Sequence, residues 1–564
     1  MTVGVTATIL RMRSKLERIR RLLGRYRVDR RLPPPVTDLL RTRTRLKLSR
    51  FVDGVRARTL PALGYPASGE VGRLGGRRLA TAGPLPASVS ELAVTTADRV
   101  ERALVAADVD AFLTGRSGDR LVLGVSLADR AATSEVLSAT LTDGAWYVRW
   151  FDGSRSGVVP CERAAEERHI RVARRWQVFR AHQWGERVIG PETAVEITFW
   201  EIGSSNEFEL VGTRSHERFH PGSADTIETV DGRVFRGKAA FPVFDALERF
   251  DAPIDIVFTW VDGSDPDWIE SFRETAEDQG RELDDEALDP ARYRSRDELR
   301  YALRSVWAYC GWVRRIYLVT AGQCPSWMVD QPEDFGLTIV DHAEILPSDA
   351  LPTFNSHAIE ASLHQIDGLA EHFVYFNDDV FIARPQRPEC FFTPSGLARV
   401  FQGGARVHGY ESDDTLAVDT AALRGRELLR RRFGRVATHK PLHVAFPLRR
   451  STLFEIDDEF SSEIHRTRAS RFRSPSDLSI AASFGQHYGL ARGQSVLGDI
   501  ASEYVHVESR RLGWHLDRIR LADDLDTFCI NETRDGLGIA DRESMIDQLF
   551  RECFPVAAPW ERDG

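Results

Sequence analysis

Apolar positions follow two patterns along this 564-residue chain. In the second half they form short unbroken runs. Ile254 to Val261, IDIVFTWV, is one, and 316–320, 337–341 and 373–382 are others. Runs of this length without alternation predict strands buried on both faces. Between them the spacing becomes helical: 296–310 places Leu299, Ala302, Leu303, Val306 and Tyr309 on one face, and 356–369 predicts a further helix. Strands alternating with helices predict an α/β fold, a mostly parallel sheet with flanking helices. The first half differs. Over 86–245 the segments LVLGVSLA, AWYVRWFDG, AVEITFWEIG and EFELVGTR predict an α+β accessory domain rich in antiparallel strands, with 161–182 expected as a helix. Residues 61–85, dense in Gly and Pro, are expected as a linker. Residues 7–31 place Ile9, Met12, Leu16, Ile19, Leu22 and Leu23 on one stripe, a basic N-terminal helix stopped by Pro33, Pro34 and Pro35. The expected division is a basic helical arm over 1–60, the linker over 61–85, the accessory domain over 86–245 and a catalytic domain over 250–555.

Composition adds little except through charge. Hydrophobic content of 42% and charged content of 28% fit a globular protein, and the length asks for more than one core. The six cysteines show no CxxC pair, which favours free thiols in a reducing compartment. No run reaches the ~18 apolar residues of a membrane span, and no secretory leader is read at the start. A cytoplasmic protein is therefore expected. The net charge of -9 divides unevenly: residues 1–60 carry seventeen basic and four acidic residues, so the acidic excess lies beyond them. A basic arm on an acidic body predicts an anionic partner surface. Residues 7–31 would dock on the inner face of the plasma membrane, or pack on the protein itself, and nucleic acid is not expected as a partner.

The candidate chemistry lies where apolar runs end in acids. Strand 254–261 breaks into Asp262, Gly263, Ser264, Asp265, Pro266 and Asp267, and HFVYFNDDVFI sets Asp378 and Asp379 inside a second run. Adjacent carboxylates in apolar surroundings are costly unless a cation or hydrogen-bond donors neutralise them. Two such segments predict a metal-assisted site for a charged substrate at the carboxyl ends of the strands. The bland alternative is an Asn-Asp turn capping a strand end. If the strand continues through them, Asp378 and Asp379 face opposite ways.

Four ordered blocks resemble the Stealth family of sugar-phosphate transferases: IDIVFTWVDGSDPDW; RYRSRDELRYALRSVWAYCGWVRRIYLVTAGQCPSWM with LPTFNSHAIEASLHQIDGLAEHFVYFNDDVFI; THKPLHVAFPL with RFRSPSD; and TFCINE. They span 254–532. The resemblance implies a GT-A-like fold and transfer of a sugar-1-phosphate from a nucleotide sugar to a hydroxyl of a polysaccharide or lipid-linked glycan. A nucleoside monophosphate leaves and a phosphodiester forms. It implies Mg²⁺ or Mn²⁺ held by Asp378, Asp379, Asn531 and Glu532, with one of the two aspartates near the acceptor hydroxyl. His439 matches the histidine of the third block, as acid, base or phosphate ligand. Arg473 and Arg471 would clamp phosphate oxygens, oriented by Asp477. Asp262, Gly263, Asp265, Arg296 and Asn355 are the remaining substrate-binding candidates, Asn355 with the alternative of a helix cap. Rival expectations are an ordinary GT-A glycosyltransferase, which releases a nucleoside diphosphate, and a glycan-binding protein without activity.

Overall fold

A computed structural model describes residues 71–562, apart from internal stretches of which 203–207, 211–217, 220–224, 242–246, 281–294, 408–416 and 533–538 are the longest. The basic arm of residues 1–60, with its expected helix over 7–31, lies outside the described residues. Residues 69–564 form one compact unit.

The first part of that unit is built on a ten-stranded sheet with strands such as Arg120–Ser126, Trp146–Asp152 and Val195–Ile202. Helices Val89–Ala106 and Arg130–Thr140 accompany it. Two expectations differ here. The stretch 161–182 is a short 3-10 turn, Cys161–Arg163, followed by a strand, Arg175–Arg180. Trp176, Val178 and Phe179 are buried in that strand, where aromatic and β-branched side chains pack well. Part of the span read as a linker is paired: Val71–Leu74 lies antiparallel to Arg77–Ala80 and joins Arg187–Ile189.

The second part holds, in chain order, β1 (Ile254–Thr259), α1 (Pro266–Asp278), α2 (Glu298–Tyr309), β2 (Arg315–Thr320), β3 (Leu337–Asp341), α3 (Ser356–Glu360), β4 (His372–Asn377), β5 (Val380–Ile382), β6 (Phe446–Arg449), β7 (Ser502–His506) and β8 (Thr527–Asn531). One sheet runs β3-β2-β1-β4-β6. Its first four strands are parallel and β6 is antiparallel to β4. A second, small sheet runs β5-β8-β7. The chain leaves β1 toward β2 and β3 and then returns to the other side of β1 as β4. That reversal opens a crevice beyond the carboxyl ends of β1 and β4, where open α/β sheets bind ligands. Both acidic segments lie there.

Ile256, Val257 and Phe258 in β1 and Val374, Tyr375 and Phe376 in β4 are fully buried, as unbroken apolar runs predict. Asp255 in β1 is buried too. Arg314 meets it with Nε at 2.8 Å, and the Ala370 amide donates at 2.7 Å. The carboxylate is thereby neutralised and ties the amino ends of β1, β2 and β4 together. Trp184, from the first part, is buried against Tyr309 at the end of α2 and shares a core with Ile256, Phe258 and Phe376.

The expected helix over 356–369 is cut short. α3 ends at Glu360, and only a 3-10 turn, Leu363–Gln365, follows. Arg450 donates to the carbonyls of His364, Ile366 and Leu369, and Arg468 to that of Ala361. Two buried-side guanidiniums thus take carbonyl oxygens that a continuing helix would need.

Candidate active site

β4 does not run on through the acids. Asp378 and Asp379 form a turn, after which β5 joins the other sheet by pairing with β8. The opposite-facing strand geometry expected for the pair is therefore absent, because the chain changes sheets between Asn377 and Val380. The turn points Asp379 into a dense set of partners. Its Oδ1 lies 3.3 Å from His443 Nε2. Its Oδ2 accepts from Asn531 Nδ2 at 3.0 Å and from the Cys529 thiol at 3.3 Å. Asn531 and Cys529 come from β8, so a strand some 150 positions away closes the site.

His443 arrives through register. Tyr375 in β4 lies opposite Phe446 in β6. Three residues onward from one and back from the other, the chain meets itself at Asp378–Asp379 and His443. Burial opposes charge on His443, but Asp379 outweighs this by charge and hydrogen bond and lifts the imidazole above its usual pKa. Burial works to raise Asp379 as well, yet His443, then Asn531 and Cys529, hold it below the usual carboxylate range. Asp378 goes the other way. Burial, with Asp379 and Glu298 beside it, pushes its carboxyl well above that range. Glu298, the first residue of α2, is itself buried and raised by burial. The centre therefore joins one neutralised carboxylate, Asp379, to two acids that burial raises, Asp378 and Glu298.

The other expected residues fall into three groups. Asn355 and Asp477 are fully buried and bonded to each other, Asn355 Nδ2 donating to Asp477 Oδ2 at 2.8 Å. Asn355 also donates to the carbonyls of Ser470 and Phe472, while its Oδ1 caps α3 at the His357 amide. These two pin the RFRSPSD loop to α3. Arg473, on that loop, donates to Ser356 Oγ at 2.8 Å and lies close enough to His443 and Tyr375 to act on their charge. Arg471 turns toward the Asp349 carbonyl, 3.4 Å away. Glu532 is held by Arg296, which also faces Glu298 at 3.5 Å. Its carboxylate is thus committed to a guanidinium while Asn531, next to it, faces Asp379. His439 lies in the strand His439–Pro441, its ring bonded to the Thr438 hydroxyl. The histidine brought to the carboxylate is His443, not His439.

Asp265 lines a pocket of about 400 Å³ beyond β1, β2 and β3, whereas Asp262 and Gly263, in the turn just before it, are not among the lining residues. Asp265 caps α1 through the Asp267 amide and accepts from Gln323 Nε2 at 2.8 Å, which holds its pKa down. Asp262 accepts from Ser264, and Gln323 Oε1 accepts from the Asp262 amide. Trp268 and Phe354, packed edge to face at 5.3 Å, form the apolar wall, and Asp341 and His342 line the floor.

His342 makes a stability prediction. Burial lowers its pKa to about 4, and its Nε2 is buried without a partner among the described residues. The unfolded chain, with a histidine near 6.5, takes up this proton first as the pH falls. Stability from this group is full above pH 6.5 and is lost between there and about 4, by about 3 kcal/mol. Urea unfolding from pH 7 to 4.5 should show a steeper loss for wild type than for His342→Gln. Parallel curves would contradict it.

Three conserved regions of the Stealth proteins match this chain: region 1 over residues 252–278, region 2 over 292–400 and region 3 over 442–490. An exopolysaccharide phosphotransferase of Streptomyces coelicolor is 37% identical over 569 residues, covering 95% of each chain. The chain belongs to the Stealth family. Exopolysaccharide phosphotransferases of Nocardia farcinica and Mycobacterium tuberculosis are each 34% identical, covering 84% and 82% of this chain and 88% and 87% of theirs. Among solved structures, the galactosyltransferase LgtC with donor and acceptor sugar analogs is 13% identical, covering 52% of this chain and 95% of that one, at a TM-score of 0.25. Mouse xyloside xylosyltransferase 1 is 8% identical, covering 50% and 98%, also at 0.25.

The Stealth regions overlay the geometry. Region 1 holds Asp262 and Asp265, and region 2 holds Glu298, Asn355, Asp378 and Asp379. Region 3 opens at residue 442, so it contains His443, Arg473 and Asp477 but not His439. Sequence reasoning passed over His443 and Cys529. The signal available for His443 was its place just before the apolar run VAFPL, a polar residue at the mouth of a buried strand. Cys529 gave none, being one apolar position among others in β8.

A divalent cation fits this centre. Asn377 Oδ1 is buried without a hydrogen-bond partner among the described residues, and burial, with Asp379 and Glu298 alongside, disfavours the charged form of Asp378 unless a cation joins it. Donor atoms of Asp379, His443 and Cys529 also lie within 4.8 Å of one another. That second set is softer and would suit zinc. Its atoms are, however, already bonded through Asp379, whereas Asp378 has the acids Asp379 and Glu298 beside it.

Proposed function

We propose that this Stealth protein is an exopolysaccharide phosphotransferase. It moves a sugar-1-phosphate from a nucleotide sugar to a glycan hydroxyl and releases a nucleoside monophosphate. The observation that carries this reading is the Asp379–His443 pair at the crevice between β1 and β4, with Arg473 beside it. The family relatives supply the reaction class and this pair supplies the means.

In this reading the pocket walled by Trp268 and Phe354 takes the nucleoside, and Arg473 faces the phosphates with a planar fork suited to their oxygens. His443 donates through Nε2 to Asp379, and its Nδ1, which has no hydrogen-bond partner among the described residues, takes the proton of the acceptor hydroxyl. Asp379 fixes the tautomer and offsets the charge that then forms on the ring. The acceptor oxygen bonds to phosphorus as the bond from phosphorus to the nucleoside monophosphate breaks, and the leaving group departs with the electron pair. Asp378, the amide oxygen of Asn531 and Asn377 Oδ1 are the proposed cation ligands. A bound Mg²⁺ or Mn²⁺ supplies charge neutralisation for the pyrophosphate oxygens. Glu532 acts one step removed, by holding Arg296.

The test is incubation with a panel of nucleotide sugars and Mg²⁺ or Mn²⁺. Phosphorus NMR should show a new diester and chromatography a nucleoside monophosphate, both lost with EDTA. A nucleoside diphosphate as the only nucleotide product would replace this reading with ordinary glycosyl transfer. Among the described residues no helix is long and apolar enough to cross a membrane.

A further inference from the structure

We propose that Tyr504, with His506 beside it, forms the platform on which a neutral pyranose ring of the acceptor glycan lies. β7 runs parallel to β8, with Tyr504 beside Cys529 and His506 beside Asn531. Neighbours in register share a face of the sheet. Tyr504 and His506 therefore stand on the face whose β8 residues bond Asp379. The residues between and after them, Val505 and Val507, are buried in the core. Tyr504 is 40% exposed. Its ring meets His443 edge to face, with centroids 5.8 Å apart at 83°, and His506 at 4.9 Å and 74°. A wall of three aromatic rings set edge to face thus rises from the proposed base, with Tyr504 as its large exposed ring. Such a wall matches the C–H face of a sugar ring, which offers apolar surface on one side and hydroxyls at its edge.

The position selects the acceptor over the donor. The pocket walled by Trp268 lies beyond β1, β2 and β3, at one end of the sheet order β3-β2-β1-β4-β6. His443 leads into β6, at the other end, and Tyr504 touches His443 on that side. Displacement at phosphorus sets the entering oxygen roughly in line with, and opposite to, the leaving group. With the nucleoside at the β1–β3 end, the hydroxyl enters from the Tyr504 end, beside the nitrogen that takes its proton. The assignment of acceptor side rests on the proposed phosphotransfer reading.

The test is saturation-transfer NMR with a panel of methyl hexopyranosides and the full chain, wild type, Tyr504→Ala and Tyr504→Phe, each checked for an unchanged thermal midpoint. At least one glycoside should be contacted through protons of one ring face. Its binding should weaken about tenfold in Tyr504→Ala and stay within about twofold in Tyr504→Phe, because the ring and not the hydroxyl makes the contact. The KM for the nucleotide sugar should stay within about twofold in both variants. Equal glycoside binding in wild type and Tyr504→Ala, no contact with any glycoside, or a loss confined to the nucleotide sugar would overturn the proposal. Failure of the phosphotransfer reading is seen separately, as a nucleoside diphosphate product from the wild-type enzyme.

Discussion

Asp379→Asn is expected to lower turnover by about 10²-fold or more with the fold intact. Its two oxygens meet His443, Asn531 and Cys529, so the amide would present a donor to two donors and lose the charge that steadies the imidazole. The side chain is 16% exposed and belongs to a turn rather than to the core, so the thermal midpoint should move by only a few degrees. Asp378→Asn should be comparably damaging for a different reason. It removes the carboxylate whose charge is least compensated, so the Mg²⁺ or Mn²⁺ concentration for half-maximal rate should rise, and excess metal should return part of the activity. Asp379→Asn should show no such return. Near wild-type rates in both would remove the centre of the proposed site, and metal rescue of Asp379→Asn alone would exchange the two roles.

His443→Ala and His439→Ala form the second decisive pair. Only His443 meets Asp379, and only its replacement takes away the proton acceptor. His443→Ala should fall by about 10²- to 10⁴-fold, the range of general base catalysis, and added imidazole should restore part of the rate. His439→Ala should stay within several-fold of wild type, since its ring bonds to Thr438 and its carbonyl, which the substitution keeps, accepts from His487 Nε2. Equal losses for the two variants, or the reverse order, would return the third block's function to His439.

Much of the scaffold is legible in the sequence because its signals are local. The run from Ile254 predicts β1, the Leu299–Tyr309 spacing predicts α2, and 316–320 and 337–341 fall within β2 and β3. In each case burial on both sides, or on one helical face, sets the composition of a short window. The acids at Asp262, Asp265, Asp378 and Asp379 are legible as a group for the same reason, since charges that end apolar strands stand out. The parts that are not legible depend on distant partners. Nothing near Asp378 says that the chain will change sheets there, because β5 is defined by its pairing with β8, residues 527–531. The shortness of α3 depends on Arg450 and Arg468, about a hundred positions onward. His439 and His443 differ only in which one the β4–β6 register sets opposite the acids. Glu532 reads as a ligand beside Asn531 until Arg296 is seen to hold it.

In the proposed phosphotransfer the bond made is to phosphorus and the bond kept is the one between sugar and oxygen. A nucleotide sugar carrying ¹⁸O in the oxygen that joins the anomeric carbon to phosphorus measures this directly. After turnover with wild-type enzyme, the label should be found wholly in the phosphodiester product, with an unlabelled nucleoside monophosphate released. Label leaving with a nucleoside diphosphate would mean that the sugar–oxygen bond had broken, and the phosphotransferase account would be contradicted.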